Sequence, residues 1–159
     1  GLGYDVHRLI KGKSIILFGV KIPFKFKLSG HSDADVGIHA IIDAILGASS
    51  LGDIGKQFPD TNKKFKNIKS LDLLKKIKNL IDANDITLCH LDCTLIGEKP
   101  KIASYTNLMK KTISNTLKLN LDDISIKATT TEGLGFTGRK EGLACICNAT
   151  IKRLSFNDE

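Results

Sequence analysis

Asp5-Val6-His7 sets a carboxylate and an imidazole two positions apart near the start of the chain. In a strand, alternate side chains share a face about 6.5–7 Å apart, so the pair can converge on one ion. A carboxylate oxygen and an imidazole nitrogen suit Zn²⁺. A third ligand must come from elsewhere, and the other histidines are His31, His39 and His90. His39 is the best placed. Asp35 precedes it by four positions and Asp43 follows by four, which puts both carboxylates on its face of a helix. A carboxylate there can accept the second imidazole N–H and fix the tautomer. Three protein ligands leave a fourth position open, as catalytic zinc sites do. The bland alternative is three unrelated polar residues.

Three further strings carry chemistry. His31-Ser32-Asp33-Ala34-Asp35 stands just ahead of the His39 helix. Ser32 and Asp33 read as helix caps, though free N–H groups at a helix start also receive anions. Thr129-Thr130-Thr131-Glu132 runs into Gly133-Leu134-Gly135-Phe136-Thr137-Gly138-Arg139. The glycine spacing imitates a dinucleotide fingerprint, but that needs a following helix and an acidic residue about twenty positions on. Here a strand is expected next, so another phosphate mode fits better. Three hydroxyls can donate to phosphate oxygens, and Glu132 can hold a hard divalent ion bridging them. An ordinary strand–turn–strand is the alternative. Gly97-Glu98-Lys99-Pro100-Lys101-Ile102 joins a strand end to a helix start. It forms an anion pocket with Lys101 in reach of phosphate, or else a pair of solvated lysines.

The elements that must position these residues follow from periodicity. Leu2–Arg8 alternates as a strand, and Ile15–Phe18 and Val20–Ile22 read as short strands or a hairpin around Gly19. Asp33–Ser50 is a helix with Val36, Ile38, Ile41, Ile42, Ile45 and Leu46 on a broad apolar face. Leu51–Lys69 is a loop rich in turn formers, a length that suggests work or disorder. Ser70–Ala83 is an amphipathic helix with Ser70 as its cap. Ile86–Ile96 is a strand with Thr87, Cys89, Leu91, Cys93 and Leu95 on one face. Ile102–Leu119 is a third helix, and Ile124–Thr130 and Leu143–Leu154 are strands around the turn Gly133–Gly142. The order β-β-β-α-α-β-α-β-β predicts a sheet with helices packed on one face.

The 159 residues suit one domain, taken as 1–159, and 42% apolar with 26% charged residues is globular usage. No apolar run reaches the ~18 residues of a membrane span. No basic region followed by an apolar stretch opens the sequence, so no secretion signal is expected, and the absent Met fits trimming upstream. A net charge of +7 invites nucleic acid. Its lysines, however, cluster at Lys63-Lys64-Phe65-Lys66 and Lys75-Lys76-Ile77-Lys78, on a loop and a polar helix side, and only two Tyr and no Trp serve stacking. Neither nucleic acid nor membrane is an expected partner. Cys89, Cys93, Cys145 and Cys147 form no Cys-x-x-Cys pair and read as buried free thiols of a reducing compartment.

Taken in order, Gly3-Tyr4-Asp5-Val6-His7, His31–Asp35, Leu51–Gly55 with Phe58-Pro59-Asp60-Thr61, and Lys127–Arg139 resemble the 2-C-methyl-D-erythritol 2,4-cyclodiphosphate synthase family of the non-mevalonate isoprenoid pathway. The resemblance implies an α+β fold, a mixed β-sheet with helices packed on one face, assembled as a homotrimer with intersubunit active sites. It implies a cytidine diphosphate-linked substrate, 4-diphosphocytidyl-2-C-methyl-D-erythritol 2-phosphate, whose 2-phosphate displaces CMP to close a cyclic diphosphate. Asp5, His7 and His39 match zinc ligands, and Glu132 matches the ligand of a second ion, Mg²⁺ or Mn²⁺. His31 and Thr130 match transition-state stabilisers. Asp5, Val6, His7, His31 and Ser32 match substrate-binding positions. So do Asp53, Ile54 and Gly55 with Phe58, Pro59, Asp60, Thr61 and Asn62, around the erythritol part. Gly97, Glu98, Lys99, Pro100, Lys101, Ile102 and Ala103 match the cytidine pocket. Thr129, Thr130, Thr131 and Glu132 match the phosphate turn, and Phe136 and Arg139 reach the substrate region or the trimer's central channel. Ala34 and Gly133 depart from the family's usual glycine and lysine, and Gly133 is expected to loosen its turn.

The chemistry agrees with the residue types. Two unit charges 4 Å apart repel by about 4 kcal/mol at an effective dielectric near 20, and two divalent ions with Lys101 would offset that. A phosphate oxygen already ionised needs no strong protein base. Two other classes stay open to the residues: a cytidine-nucleotide or isoprenoid diphosphate-binding module, and a metal-dependent hydrolase. A bacterial cytoplasm is the expected location, with a plastid-type organelle as the alternative.

Overall fold

The computed structural model describes residues 1–30, 32–59 and 68–153. His31, Asp60, Thr61 and Asn62, named above as site positions, lie outside the described residues, as do Lys63–Lys66 and Leu154. Seven strands and five helices follow in the order β1 (Leu2–Lys11), β2 (Ser14–Leu17), β3 (Val20–Pro23), β4 (Phe26–Leu28), α1 (Val36–Ser49), α2 (Ile54–Gln57), α3 (Ser70–Asp82), β5 (Ile86–Ile96), α4 (Thr106–Leu117), β6 (Ile124–Thr129), α5 (Gly135–Gly138) and β7 (Gly142–Arg153). The five-stranded sheet runs β4-β1-β7-β5-β6, and β2 with β3 forms a separate two-stranded hairpin. Among the described residues, only β5 and β6 pair in parallel, which makes the sheet mixed; α4 supplies the crossover such a pair needs.

Helix α1 lies across β1 and β7 and is buried on nearly every side. Its contact with β1 is backbone-close. A Cβ at Gly3 would sit 2.0 Å from the Ala40 carbonyl oxygen and 2.6 Å from the Ala44 nitrogen. Ile38, Ile41, Ile42, Ile45 and Leu46 join Leu74, Ile77 and Ile81 of α3 and Leu91, Cys93 and Leu95 of β5 in one core. Among the described residues, no helix packs on the sheet's other face. There Leu2, Tyr4 and Val6 are 65, 53 and 39% exposed and Ile146, paired with Tyr4, is 36% exposed.

Several boundaries differ from the pattern-based reading. Helix α1 starts at Val36, not Asp33, because Asp35 is the capping residue: its Oδ1 accepts from the Gly37 and Ile38 amides at 3.1 Å. The same carboxylate accepts from the Phe18 and Gly19 amides at 2.9 and 2.6 Å, pinning the β2–β3 turn to the helix start. Burial pushes the Asp35 carboxyl up to about 6 despite those donors. The long loop after α1 contains α2, and the span after Pro100 begins with a 3₁₀ turn, Ala103–Tyr105, before α4. Strand β4, only three residues long, falls below what alternation reveals. In β5 a register shift between Leu88 and His90 switches the inward face, so Ile86 and Leu88 are buried where Thr87 and Cys89 are not. Cys93, Cys145 and Cys147 are buried free thiols, with Cys93 Sγ 3.1 Å from Cys147 Sγ across the β5–β7 pair. Among the described residues, no helix is long and apolar enough to cross a membrane.

Candidate metal centre and adjoining pocket

Asp5 and His7 share the α1-facing side of β1, and His39 rises from α1 to meet them. Asp5 Oδ2 lies 3.0 Å from His7 Nδ1 and 3.1 Å from His39 Nδ1, and the imidazole centroids are 5.2 Å apart. His7 Nδ1 is buried and makes no aligned hydrogen bond despite that proximity. A buried imidazole nitrogen aimed at a carboxylate and a second imidazole, without a proton partner, is what a metal ligand leaves behind. One ligand atom from each residue falls within 4.8 Å of the others, so these side chains fit one divalent ion. Burial raises the Asp5 carboxyl, but the hydrogen bond from His39 and the close approach of the His7 imidazole outweigh it and bring it down to about 2. Burial lowers His39, and its hydrogen bond and charge attraction to Asp5 outweigh that and raise it.

The carboxylates expected to steady His39 do other work. Asp35 caps α1, as described, and Asp43 Oδ1 accepts the Ile54 amide at 2.8 Å, tying α2 to α1. His39 Nε2 instead lies 2.9 Å from Ser70 Oγ and 3.5 Å from Ser32 Oγ. Ser70 Oγ donates to Asp33 Oδ1, and the Ser70 amide reaches both Asp33 oxygens at 3.1 and 3.2 Å. Helix α3 has no side-chain cap from its own flank, so Asp33 caps it from 37 positions away. Ser70 is thus the first residue of α3 and not its cap. Neither it nor Asp33 was singled out for a metal role by sequence, because no local spacing connects them.

The metal triad opens into a cavity of about 280 Å³ lined also by Gly30, Ser32, Ile54, Gly55, Phe58 and Leu73. Val6 is not part of it; its side chain points to the opposite face of β1. Asp53 and Pro59 do not line it either, and Asp53 caps α2 by accepting the Lys56 amide at 2.8 Å.

A second cavity, of about 360 Å³, is walled by Gly97, Lys99, Pro100, Lys101, Ile102, Ala103, Thr129 and Thr130. It has no lining residue in common with the first. Both stand at one end of the sheet: His7 pairs with Leu143, which lines the second cavity, and Ile96 pairs with Ala144 and Thr129.

Glu98 turns away from this cavity. Its Oε1 accepts the Thr131 and Gly133 amides at 3.2 and 3.3 Å, holding the threonine turn from below. The expectation of three hydroxyls for one anion needs correcting. Thr131 Oγ1 donates to the Leu134 carbonyl at 2.7 Å and meets Thr137 Oγ1 at 2.8 Å, so it belongs to the turn. Thr130 Oγ1 donates to Glu132 Oε1 at 3.1 Å, beside the cavity. Gly133 has φ 78°, a left-handed conformation glycine adopts without strain, so it suits its turn instead of loosening it. Arg139 Nε pairs with Glu141 Oε1 at 2.9 Å, and neither Arg139 nor Phe136 lines either cavity.

Comparison with known proteins agrees with this geometry. A 2-C-methyl-D-erythritol 2,4-cyclodiphosphate synthase of Clostridium botulinum (strain Okra / Type B1) is 56% identical over 144 residues, 91% of this chain and 93% of that one. The structure of the bifunctional IspDF from Campylobacter jejuni superposes with a TM-score of 0.92 at 40% identity, covering 99% of this chain but 43% of that longer one. The CDP complex of IspF from Plasmodium falciparum gives a TM-score of 0.84 at 32% identity, covering 98% of this chain and 96% of that one. The YgbB family model matches residues 1–152, and the chain belongs to the YgbB family.

Proposed function

We propose that the protein is a cyclising phosphorus–oxygen lyase of isoprenoid precursor biosynthesis. It converts 4-diphosphocytidyl-2-C-methyl-D-erythritol 2-phosphate to 2-C-methyl-D-erythritol 2,4-cyclodiphosphate and releases CMP. The observation that carries the reading is the convergence of Asp5, His7 and His39 on one another, in a chain 56% identical to a protein named for that activity.

An oxygen of the 2-phosphate attacks the β-phosphorus, the bond from that phosphorus to the oxygen shared with the α-phosphate breaks, and that oxygen leaves with CMP. Asp5, His7 and His39 are the zinc ligands in this reading, and Glu132 holds Mg²⁺ or Mn²⁺. The ions supply charge neutralisation of the phosphate oxygens. The chain itself supplies position: Thr130 and His31 steady the reacting phosphate, and Lys101 adds a cation. Gly97 and Lys99–Ala103 receive the cytidine, and Ile54, Gly55 and Phe58 enclose the erythritol part. Holding both phosphates of one substrate in line is the larger share of the catalysis.

The two cavities share no wall within one chain, so a homotrimer completes each site with a neighbour's residues. The apolar strip Leu2, Tyr4, Val6 and Ile146 on the helix-free sheet face supports that assembly. Residues 1–159 act as one catalytic domain. The nearer likeness to clostridial than to Plasmodium relatives supports a bacterial cytoplasm as the place of work. Incubated with the substrate and Mg²⁺, purified protein is expected to release CMP and the cyclic diphosphate in equal amounts, and His39→Ala to release neither. A linear product would identify a hydrolase, and no CMP above background would end the proposal.

A further inference from the structure

Ser70 is completely buried, and its hydroxyl has one proton to give and two lone pairs. Among the described residues, two groups lie within reach: the Asp33 carboxylate and His39 Nε2, the latter at 2.9 Å. A carboxylate only accepts, so the hydroxyl proton goes to Asp33. Ser70 Oγ then offers His39 nothing but a lone pair, which an N–H on Nε2 satisfies once a cation takes the place of the proton that Nδ1 shares with Asp5. That leaves Nδ1 as the nitrogen free to bind a cation, and Nδ1 is the atom that faces Asp5 Oδ2 at 3.1 Å, with His7 Nδ1 3.0 Å from the same oxygen. One chain of hydrogen bonds therefore selects both the ring orientation and the ligating atom.

We propose that Ser70, backed by Asp33, is a positioning residue that presents His39 Nδ1 to the metal. The proposal rests on the metal reading of Asp5, His7 and His39. It assigns a second duty to an arrangement that also caps a helix, and the two duties separate chemically. The cap uses the Ser70 amide, while the relay uses the Ser70 hydroxyl. Ser70→Ala removes the second and keeps the first. Ser32 Oγ, at 3.5 Å from Nε2, is too distant to replace the lost acceptor without movement.

The test is zinc titration of metal-stripped full-length chain against a chromophoric chelator. Wild type is expected to compete for zinc; failure to compete overturns the metal triad itself and the relay with it. Ser70→Ala is expected to weaken zinc roughly 10- to 100-fold, the range typical for loss of an outer-sphere partner, with the circular dichroism of the metal-free protein unchanged. Proton–nitrogen NMR of labelled histidine in the zinc-loaded protein should show the His39 Nε2–H proton shifted downfield by its hydrogen bond in wild type and moved upfield in Ser70→Ala. Zinc affinity in Ser70→Ala within about twofold of wild type, a change too small for a lost outer-sphere partner, overturns the relay and leaves the triad standing. Should Ser70→Ala not fold, Ser70→Gly carries the same test, since it too keeps the amide that Asp33 holds and lacks the hydroxyl. Weaker zinc binding there supports the relay, and wild-type affinity overturns it.

Discussion

Without metal, Asp5 and His39 stabilise each other, and the signs of their shifts set a pH window. Burial raises Asp5, but the hydrogen bond from His39 and the close His7 imidazole bring it down to about 2, so its contribution is present above its unfolded value of 3.8 and lost as pH falls toward 2. Burial lowers His39, but Asp5 outweighs it, so the His39 contribution is complete below 6.5 and lost as pH rises through the raised value. Metal-free protein should therefore melt a few degrees higher near pH 6 than near pH 8. Zinc reverses the trend, because it binds the deprotonated imidazole. The zinc-induced rise in melting temperature should be larger near pH 8, and differential scanning calorimetry with chelator or zinc checks both halves. The Asp5–His7 pair was legible in sequence because a strand's period of two dictates it. His39 was legible as a helix residue flanked by carboxylates, although those carboxylates serve backbone amides instead. Ser70 was not legible, since its tie to His39 spans 31 positions and exists only through packing.

At the scale of elements, the metal triad depends on how closely β1 and α1 approach. A β-carbon at Gly3 would overlap the Ala40 carbonyl, 2.0 Å away, and neither partner is a flexible side-chain tip. Gly3→Ala must push strand and helix apart. Its expected cost is about 2–3 kcal/mol, as for overpacking elsewhere. Zinc affinity should fall with it, because Asp5 and His7 ride on the strand and His39 on the helix. Urea unfolding with chelator titration of zinc checks the two effects. Periodicity found α1, α3 and α4 because each has an apolar stripe, and placed their ends within a few residues. It misplaced the start of α1 because Asp35 is selected by amides of Phe18 and Gly19, far along the chain. It missed the face switch in β5 because a register shift leaves no mark in hydropathy.

For the whole molecule, the helix-free face of the sheet is the largest feature that one chain does not explain. Ile146 and Tyr4 are cross-strand partners at its centre. Ile146→Asp places a charge in that strip. It is expected to give a monomer by multi-angle light scattering and to abolish CMP release, with zinc still bound by the triad on the opposite face of the sheet. Wild-type mass with wild-type turnover would show that this strip is not the assembly surface. The mixed sheet and one-sided helices were readable from element order; which strands neighbour one another was not, because β1 joins β7 from opposite ends of the chain.

The Glu98 carboxylate couples two tasks. It belongs to the segment that walls the 360 Å³ cavity, yet its oxygen grips the amides of Thr131 and Gly133. In the proposed function, recognition of the base and alignment of the phosphoryl groups would share this brace. Attraction gained on the pyrimidine ring can be spent on geometry at phosphorus. A diphosphate stripped of its base would accordingly suffer in turnover as well as in occupancy.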